Sequence, residues 1–345
     1  MAKERNAGWP GIFRAFAVLC AILLLLARNW QGSGDSAALG LYAGLTTWSV
    51  PALFMLWGME ALEGGKPRCS AALLGLALPA FVLLVVWGAI YALAACLLAG
   101  DGVTWAGVWQ ALRSAAWGNT HYHLWVLYPL LGLYLVHPVL HRFTASASRG
   151  EVLYFLGLCF LFASLLPLWT AFHPNSAAAG VLDRLDLHLV LGWVGCYVGG
   201  WYLRHYTISR TSEFLLYLFG ILSLAVTLAG PRVFGGGQEL WRQYTAPNVQ
   251  LTAAALCALF RYVIGLSDER SRRSAAGALG EVAFGVYLLH PLWLLVLRRL
   301  GFTPWTALAP AVAAPLLALV LFLLSLPFAW LLGRIPVVGE RLVDP

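Results

Sequence analysis

GIFRAFAVLCAILLLLAR, residues 11–28, is an apolar run that is interrupted only by Arg14 before it ends at Arg28. A helix of this length crosses about 30 Å of lipid hydrocarbon, and similar runs recur along the whole chain. The runs are continuous rather than alternating, which is typical of membrane helices and not of membrane strands. No small-residue cleavage site follows the first run, so we expect a retained span and not a signal peptide. The sequence therefore predicts an all-α polytopic membrane protein.

The composition supports the same class and excludes others. Hydrophobic residues make up 61% of the chain and charged residues only 11%, whereas a soluble domain carries about a quarter charged residues. The net charge is +7, but no basic patch is interleaved with exposed aromatic residues, so we expect no nucleic-acid partner. The six cysteines lack the spacing of metal ligands, so we expect no metal site.

Hydropathy predicts ten spans, which we number in chain order. They cover residues 11–28, 38–59, 72–99, 124–141, 152–172, 186–203, 213–231, 248–266, 279–298 and 306–333. Lys and Arg residues are enriched in the short segments that face the cytoplasm if the N-terminus is inside. This bias predicts that both termini are cytoplasmic.

Two predicted outer segments are long enough to take part in binding. In residues 101–123, Trp105 and Trp109 would share the apolar face of a short helix that lies in the outer membrane interface. The segment FGGGQELWRQYTAPN, residues 234–248, has the glycines and proline of a loop and offers Glu239, Arg242 and Tyr244 to a polar ligand.

The stretch NTHYHLWVLYP, residues 119–129, places two histidines just before the fourth span. On a helix, the two-residue spacing would point His121 and His123 to different faces, whereas an extended lead-in would place them on one side. Tyr122 and Trp125 suit a membrane interface, so the stretch is equally typical of an interface anchor. An imidazole at this position is also a natural general base for a hydroxyl group.

His290 lies deep in the ninth span, in the stretch GVYLLHPLWLL. An ionisable side chain at that depth is costly and indicates a function. Pro291 follows it and frees the backbone carbonyl four residues earlier in the helix. The alternative is a neutral histidine that is hydrogen-bonded to a neighbouring helix.

Arg14 and Asp183 are two further candidates. Arg14 lies near the cytoplasmic end of the first span. A guanidinium group at this depth is suited to bind either lipid phosphates or an anionic cofactor. Asp183 lies at the outer end of the sixth span, on the predicted substrate side.

Four stretches together resemble the acyltransferase family 3 membrane proteins, especially the branch that O-acetylates bacterial surface glycans. They are RAFAVLCAILLLLA at 14–27, SVPALFMLWGMEA at 49–61, HLWVLYPLLGLYLVHPVL at 123–140 and FGVYLLHP at 284–291. A weaker fifth stretch is GWVGCYVGGWYL at 192–203. The resemblance spans essentially the whole chain and implies a single integral membrane domain over 1–345, with about ten helices around a central cavity and no appended soluble domain.

The resemblance also implies a reaction and its partners. Family members are thought to take an acyl group from cytoplasmic acyl-CoA, here acetyl-CoA, and to deliver it to a hydroxyl on the outer side of the bacterial inner membrane. We expect the CoA end near Arg14, Lys66 and Arg68, and membrane lipids around the spans. A glycan or lipid-linked sugar would contact residues of the outer side, namely Tyr122, Trp125, Asp183 and Glu239. The sequence leaves the oligomeric state open.

The first span departs from the family pattern. The family usually has Arg, ten residues and then a histidine that is regarded as catalytic, but the corresponding position here is Leu25. An active enzyme would therefore need another base, for which we expect His123 first, then His290 and His121. The alternative is a degenerate member that acts as a transporter or a binding scaffold for a glycan or lipid-linked substrate. An acetyltransferase for a small amine or an amino acid differs from the first hypothesis only in its acceptor.

Overall fold

The computed structural model describes residues 8–30, 37–63, 72–99, 104–116, 121–185, 192–264, 275–302 and 308–335. Within these ranges the regular structure is entirely helical, and no strand is present. A helix satisfies its backbone hydrogen bonds within one segment, which is what an apolar run requires inside lipid.

Nine helices of the described residues are long and apolar enough to cross a membrane. They cover Trp9–Arg28, Ala37–Ala61, Leu73–Leu97, Leu124–Ser146, Arg149–Phe172, Arg210–Val233, Pro247–Ile264, Leu279–Arg299 and Pro310–Gly333. Each overlaps one predicted span, so the prediction of an all-α polytopic membrane protein is confirmed. Of the predicted sixth span, residues 186–191 lie outside the described residues, and the remainder falls largely in the helix Val194–His205.

Several spans consist of more than one helical segment. The second span is divided by a turn into the helices Ala37–Thr46 and Ser49–Ala61. Three spans contain a π-helical turn, at Leu73–Ala77, Leu161–Leu165 and Phe260–Ile264. The remaining helical segments are Leu78–Ala99, Trp105–Ala116, the 3₁₀ turn Leu124–Val126, Leu127–Ser146, Arg149–Phe160, Leu166–Phe172, Ala177–Leu185, Gly237–Trp241, Pro247–Leu259 and Ala275–Arg299.

Local sequence explains where some spans begin. Ser148 caps the fifth span: its hydroxyl accepts a hydrogen bond from the Glu151 backbone at 3.3 Å, and the Glu151 carboxylate accepts one from the Ser148 backbone at 2.7 Å. This reciprocal pair satisfies donors that a helix start leaves unpaired. Pro247 and Pro310 each occupy a first helical position, where the missing N–H has no intrahelical acceptor to lose.

The chain divides into two compact units. Unit 1 comprises Met1–Arg28, Ala37–Lys66 and Val139–Gly280, and unit 2 comprises Asn29–Ser36, Pro67–Pro138 and Glu281–Pro345. The predicted single domain over 1–345 stays a prediction.

In unit 1, two glycines allow close contact between the helices Ser49–Ala61 and Val194–His205. A Cβ atom on Gly58 would lie 1.8 Å from the Tyr197 carbonyl oxygen, and one on Gly200 would lie 2.0 Å from that of Met55. Any side chain at either position would force the two backbones apart, and small residues commonly permit such contacts between membrane helices.

In unit 2, the helix Trp105–Ala116 packs along the third span. This confirms the predicted short helix in the segment 101–123. Trp105 and Trp109 are exposed on it, as a face that enters the membrane interface would be. Inside the same unit, Trp87 and Tyr91 of the third span are buried, together with Phe284 and Tyr287 of the ninth span.

Candidate active site

The candidate site begins with the backbone of the ninth span, where Pro291 follows His290. A proline at this position cannot donate to the carbonyl of Tyr287, four residues earlier. The His290 Nδ1 atom lies 2.6 Å from that carbonyl oxygen. A carbonyl only accepts, so Nδ1 carries the proton, and the Nε2 atom of the neutral ring holds a free lone pair. The carbonyl that the sequence predicts to be freed is therefore the one that sets the tautomer of the histidine.

His123 lies beside His290 although the two are far apart in the sequence. Their ring centroids are 5.5 Å apart at an interplanar angle of 76°, and both side chains are fully buried. Within the described part of the chain, the Nε2 atoms of both rings are buried and have no hydrogen-bond partner. An unpaired buried polar atom is costly in free energy, so the Nε2 atom of His290 favours a bound group that completes its bonding.

His121 joins this pair because the chain before the fourth span is not an α-helix. Residues 122 and 123 form a turn that leads into the 3₁₀ segment Leu124–Val126. The Nδ1 atoms of His121 and His123 lie 2.9 Å apart. One of them must donate and the other accept, so the proton position of His123 depends on His121. The structure thus brings together all three predicted catalytic histidines.

Two tyrosines hold the backbone around the histidines. The Tyr287 hydroxyl donates to the His123 carbonyl at 2.7 Å. The Tyr91 hydroxyl donates to the Leu288 carbonyl at 2.6 Å, and its ring stacks on His121 with centroids 4.4 Å apart. Neither tyrosine was among the residues predicted from the sequence. The available signal was a hydroxyl within an apolar run, because a buried tyrosine hydroxyl usually finds a partner.

The electrostatics of this cluster favour uncharged imidazoles. Burial lowers the pKa of His121 to about 4, and the positive charge of Arg298 contributes in the same direction. Burial also lowers the pKa of His123 below its ordinary value, as do the neighbouring His290 and His121. Both rings are therefore neutral at pH 7 and available as proton acceptors.

The predicted substrate-binding residues are divided among three places. Tyr122 lies with the histidines, its ring centroid 4.4 Å from that of His121, and Trp125 lies in the adjoining 3₁₀ segment. Glu239 belongs to unit 1 and is 81% exposed, 3.9 Å from Arg28. Asp183 falls in the helix Ala177–Leu185 of unit 1, but its side chain lies outside the described part of the structure.

Of the three predicted CoA-binding residues, the structure describes Arg14. Its guanidinium group is 2% exposed and forms an ion pair with Glu60, whose side chain is 14% exposed. Lys66 and Arg68 lie outside the described residues. Glu60 was not among the residues predicted from the sequence, although it is a rare carboxylate at the end of an apolar span. Leu25, at the family's histidine position, is buried.

No group of three or more His, Cys, Asp or Glu side chains in the described ranges is arranged to hold a metal ion. The chemistry that the histidine cluster itself offers is proton transfer at a buried nitrogen.

Comparison with protein-family models gives a match over most of the chain. The acyltransferase 3 family model, described as an acyltransferase domain, matches residues 8–334. No curated protein and no solved structure matches the chain. The family match covers nearly the full length, including all nine helices of membrane-spanning length in the described residues. The chain therefore belongs to the acyltransferase 3 family of multi-pass membrane proteins.

Proposed function

We propose that this protein transfers an acyl group, in the first instance acetyl, from cytoplasmic acyl-CoA to a hydroxyl of an extracytoplasmic glycan or lipid-linked sugar. Membership of an acyltransferase family supports the transfer chemistry. The two sides of the membrane follow from the predicted topology, with both termini in the cytoplasm. The same topology and the family resemblance favour the bacterial inner membrane, with membrane lipids as the surrounding partner.

The observation that carries the proposal is the buried His290 Nε2 atom. A sugar hydroxyl has a pKa far above 7, so its proton must be removed as the oxygen attacks, and a positioned base contributes about 10²–10⁴-fold. A catalytic base is commonly oriented by a third group that bonds to its other nitrogen. The Tyr287 carbonyl provides that bond to His290.

The reaction balances with one base. His290 Nε2 takes the hydroxyl proton as the acceptor oxygen bonds to the thioester carbonyl carbon. The carbon–sulfur bond then breaks, and the imidazolium returns its proton to the leaving thiolate. The products are the O-acyl ester and CoA as a free thiol.

The sequence ranks His123 ahead of His290, and the hydrogen bonding favours the reverse order. His290 has one tautomer, because its Nδ1 partner is a carbonyl that can only accept. The Nδ1 partner of His123 is another imidazole, which can either donate or accept. We therefore propose His290 as the base and His123 as the neighbour that shares its buried environment, with Tyr122 and Trp125 as stacking surfaces for the sugar.

For the donor end, we propose that Lys66 and Arg68 carry the larger share of CoA phosphate binding. Arg14 is already paired with Glu60, and a CoA phosphate would have to compete with that carboxylate. Asp183 and Glu239 stay proposed contacts to the acceptor.

The test has two parts. Mass spectrometry of surface glycans from cells with and without the gene should show one glycan that loses an acetyl mass in the deletion strain. Purified protein in lipid should then transfer or hydrolyse the acyl group of acetyl-CoA. If folded protein gives no turnover over a panel of glycans and CoA esters, the proposal is wrong. Movement of a labelled glycan across liposomes without covalent change would instead establish a transporter.

A further inference from the structure

A second polar site lies in unit 1, where Arg242 follows the short helix Gly237–Trp241. Arg242 is only 7% exposed. Among the described residues, its side chain makes one hydrogen bond, from Nη1 to the neutral Gln238 Oε1 atom at 2.6 Å. Its Nε atom is buried without a hydrogen-bond partner among the described residues. A buried cation whose bonding partner is a neutral amide is costly in free energy unless an anion joins it.

The second span provides the surface on which this guanidinium lies. A Cβ atom on Gly40 would be 3.6 Å from Nη2 and 4.0 Å from Nη1 of Arg242, and one on Gly44 would be 3.7 Å from Nε. These are ordinary van der Waals distances, so the guanidinium lies against the second span at the two glycines.

Arg28 brings a second guanidinium to the same loop. Its Nη1 atom donates to the Tyr244 hydroxyl at 3.0 Å, and its Nη2 atom donates to the Arg242 carbonyl at 2.9 Å. The group also lies over the Tyr244 ring, 4.8 Å from the centroid. The carboxylate within ion-pair distance of Arg28 in the described residues is Glu239, at 3.9 Å and largely exposed. The positive charges of Arg28 and Arg242 are therefore balanced in the described residues by one solvent-exposed carboxylate, that of Glu239.

The pKa of Arg242 responds to its burial and to two neighbouring charges. Burial lowers the pKa of Arg242, Glu239 raises it, and Arg28 lowers it again. A bound oxyanion would offset both the burial and the repulsion between the two arginines.

We infer that Arg28 and Arg242 form a binding site for an oxyanion, a carboxylate or a phosphate, that is carried by the acceptor. Planar guanidinium groups match the geometry of both oxyanions, and such charge-assisted bonds are among the strongest in proteins. The loop lies on the predicted outer side, where the acceptor arrives. The inference rests on the proposed function for the identity of the carrier, and it narrows the acceptor to an acidic sugar or a sugar phosphate.

Binding can be measured without acyl donor or turnover. Purified full-length protein in micelles of dodecyl maltoside, which contains no phosphate, is melted in the presence of glucuronate or inorganic phosphate. Glucose and sodium chloride of equal ionic strength serve as neutral and salt controls. We expect glucuronate or phosphate to raise the melting temperature of the wild type saturably, because a ligand that binds the folded state stabilises it. Glucose should have no effect.

Matched variants locate the site. Arg242→Gln and Arg28→Gln should each weaken anion binding by about ten- to hundredfold, the value of a lost charged hydrogen bond. Arg242→Lys keeps the charge but loses the planar fork, and it also reports on the site if Arg242→Gln fails to fold. Arg232→Gln removes an exposed arginine from the same predicted outer side and should bind like the wild type.

Three results would overturn the inference. The first is no saturable shift in the wild type, or one that persists in Arg242→Gln, Arg242→Lys and Arg28→Gln. The second is stabilisation only by phosphatidylglycerol added to the micelles, which would make the arginines a lipid-headgroup site. The third is binding that appears only in Glu239→Gln, which would show that the chain's own Glu239 carboxylate occupies the site. Anion binding by a protein that lacks transferase activity would refute the proposed function and leave the oxyanion site standing.

Discussion

Each unit has a buried polar cluster, and the two clusters differ in kind. The cluster of unit 2 consists of imidazoles, and the tautomer of His290 is set by a backbone carbonyl. The buried groups of unit 1 that contrast with it are two arginines, which stay charged at any physiological pH: Arg14 is paired with Glu60, and Arg242 is bonded to the neutral Gln238. A proton acceptor must be able to change its protonation state, whereas an anion site needs a permanent charge. Under the two proposals made above, the chain separates proton transfer from charge binding.

The largest expected effect lies in the histidine cluster. His290→Ala should lower turnover by about 10²–10⁴-fold, because it removes the base with the fixed tautomer. His123→Ala should lower it less, because the Tyr287 carbonyl still orients His290. The measurement is steady-state transfer from acetyl-CoA by purified variants with matched melting temperatures.

His205→Ala and His137→Ala are the controls for this comparison, and both should retain near-normal turnover. If His123→Ala is the more damaging variant, the base is His123, as the sequence ranking has it. If His123→Ala and His290→Ala both keep normal turnover, the histidine cluster is structural, and the assignment of a base to unit 2 is wrong.

The buried ion pair of unit 1 should be sensitive to the loss of one partner. Arg14→Ala leaves the largely buried Glu60 without its ion-pair partner, for which we expect a loss of about 3–5 kcal/mol in the free energy of unfolding. The double variant Arg14→Met, Glu60→Met should recover most of it, because both charges are then gone. Unfolding of purified protein measures both. If Arg14→Ala is as stable as the wild type but binds acetyl-CoA weakly, Arg14 contributes to acetyl-CoA binding and not to the stability of the fold.

Pro291→Ala should have a smaller effect on the rate. It restores an N–H that competes with His290 Nδ1 for the Tyr287 carbonyl. We expect about a tenfold loss in kcat with KM unchanged, the value of one hydrogen bond of about 1–1.5 kcal/mol.

Pro315→Ala, which changes a proline inside the tenth span, is the matched control for Pro291→Ala and should leave kcat unchanged. Equal losses in both variants would indicate a general effect of helix bending. No loss in Pro291→Ala would show that the carbonyl does not set the reactive tautomer.

The last effect is on the stability of the fold and is confined to pH values below about 6.5. The pKa of His121 is about 4 in the folded protein, whereas the ordinary pKa of a histidine is 6.5. Between these two pH values, the unfolded chain therefore binds one proton that the folded chain does not bind. Stability is therefore complete above about pH 6.5 and falls as the pH drops toward 4. Melting curves over this range should show that His121→Gln takes up about one proton fewer on unfolding than the wild type. An unchanged pH slope in this variant would mean that His121 is not held neutral by the fold.

The sequence predicts a feature well when the feature depends on residues that are close together in the chain. Continuous apolar runs specify the spans, and Pro291 specifies which carbonyl is freed, because both depend on neighbours within one helix. The contact between His123 and His290 depends on packing between distant segments, and no periodicity in either segment encodes it. The same holds for Glu60 beside Arg14. The turn at residues 122 and 123 decides whether two histidines spaced by two meet, and the sequence left both possibilities open.

The central claim is that His290 takes part in proton transfer and not in binding of the donor. Single-turnover transfer and acetyl-CoA affinity, measured together on purified wild type and His290→Ala in the same lipid, test it most directly. The account predicts an unchanged Kd for acetyl-CoA and a transfer rate lower by about 10²–10⁴-fold in the variant. A near-normal transfer rate, or a loss that weaker acetyl-CoA binding fully explains, would contradict it.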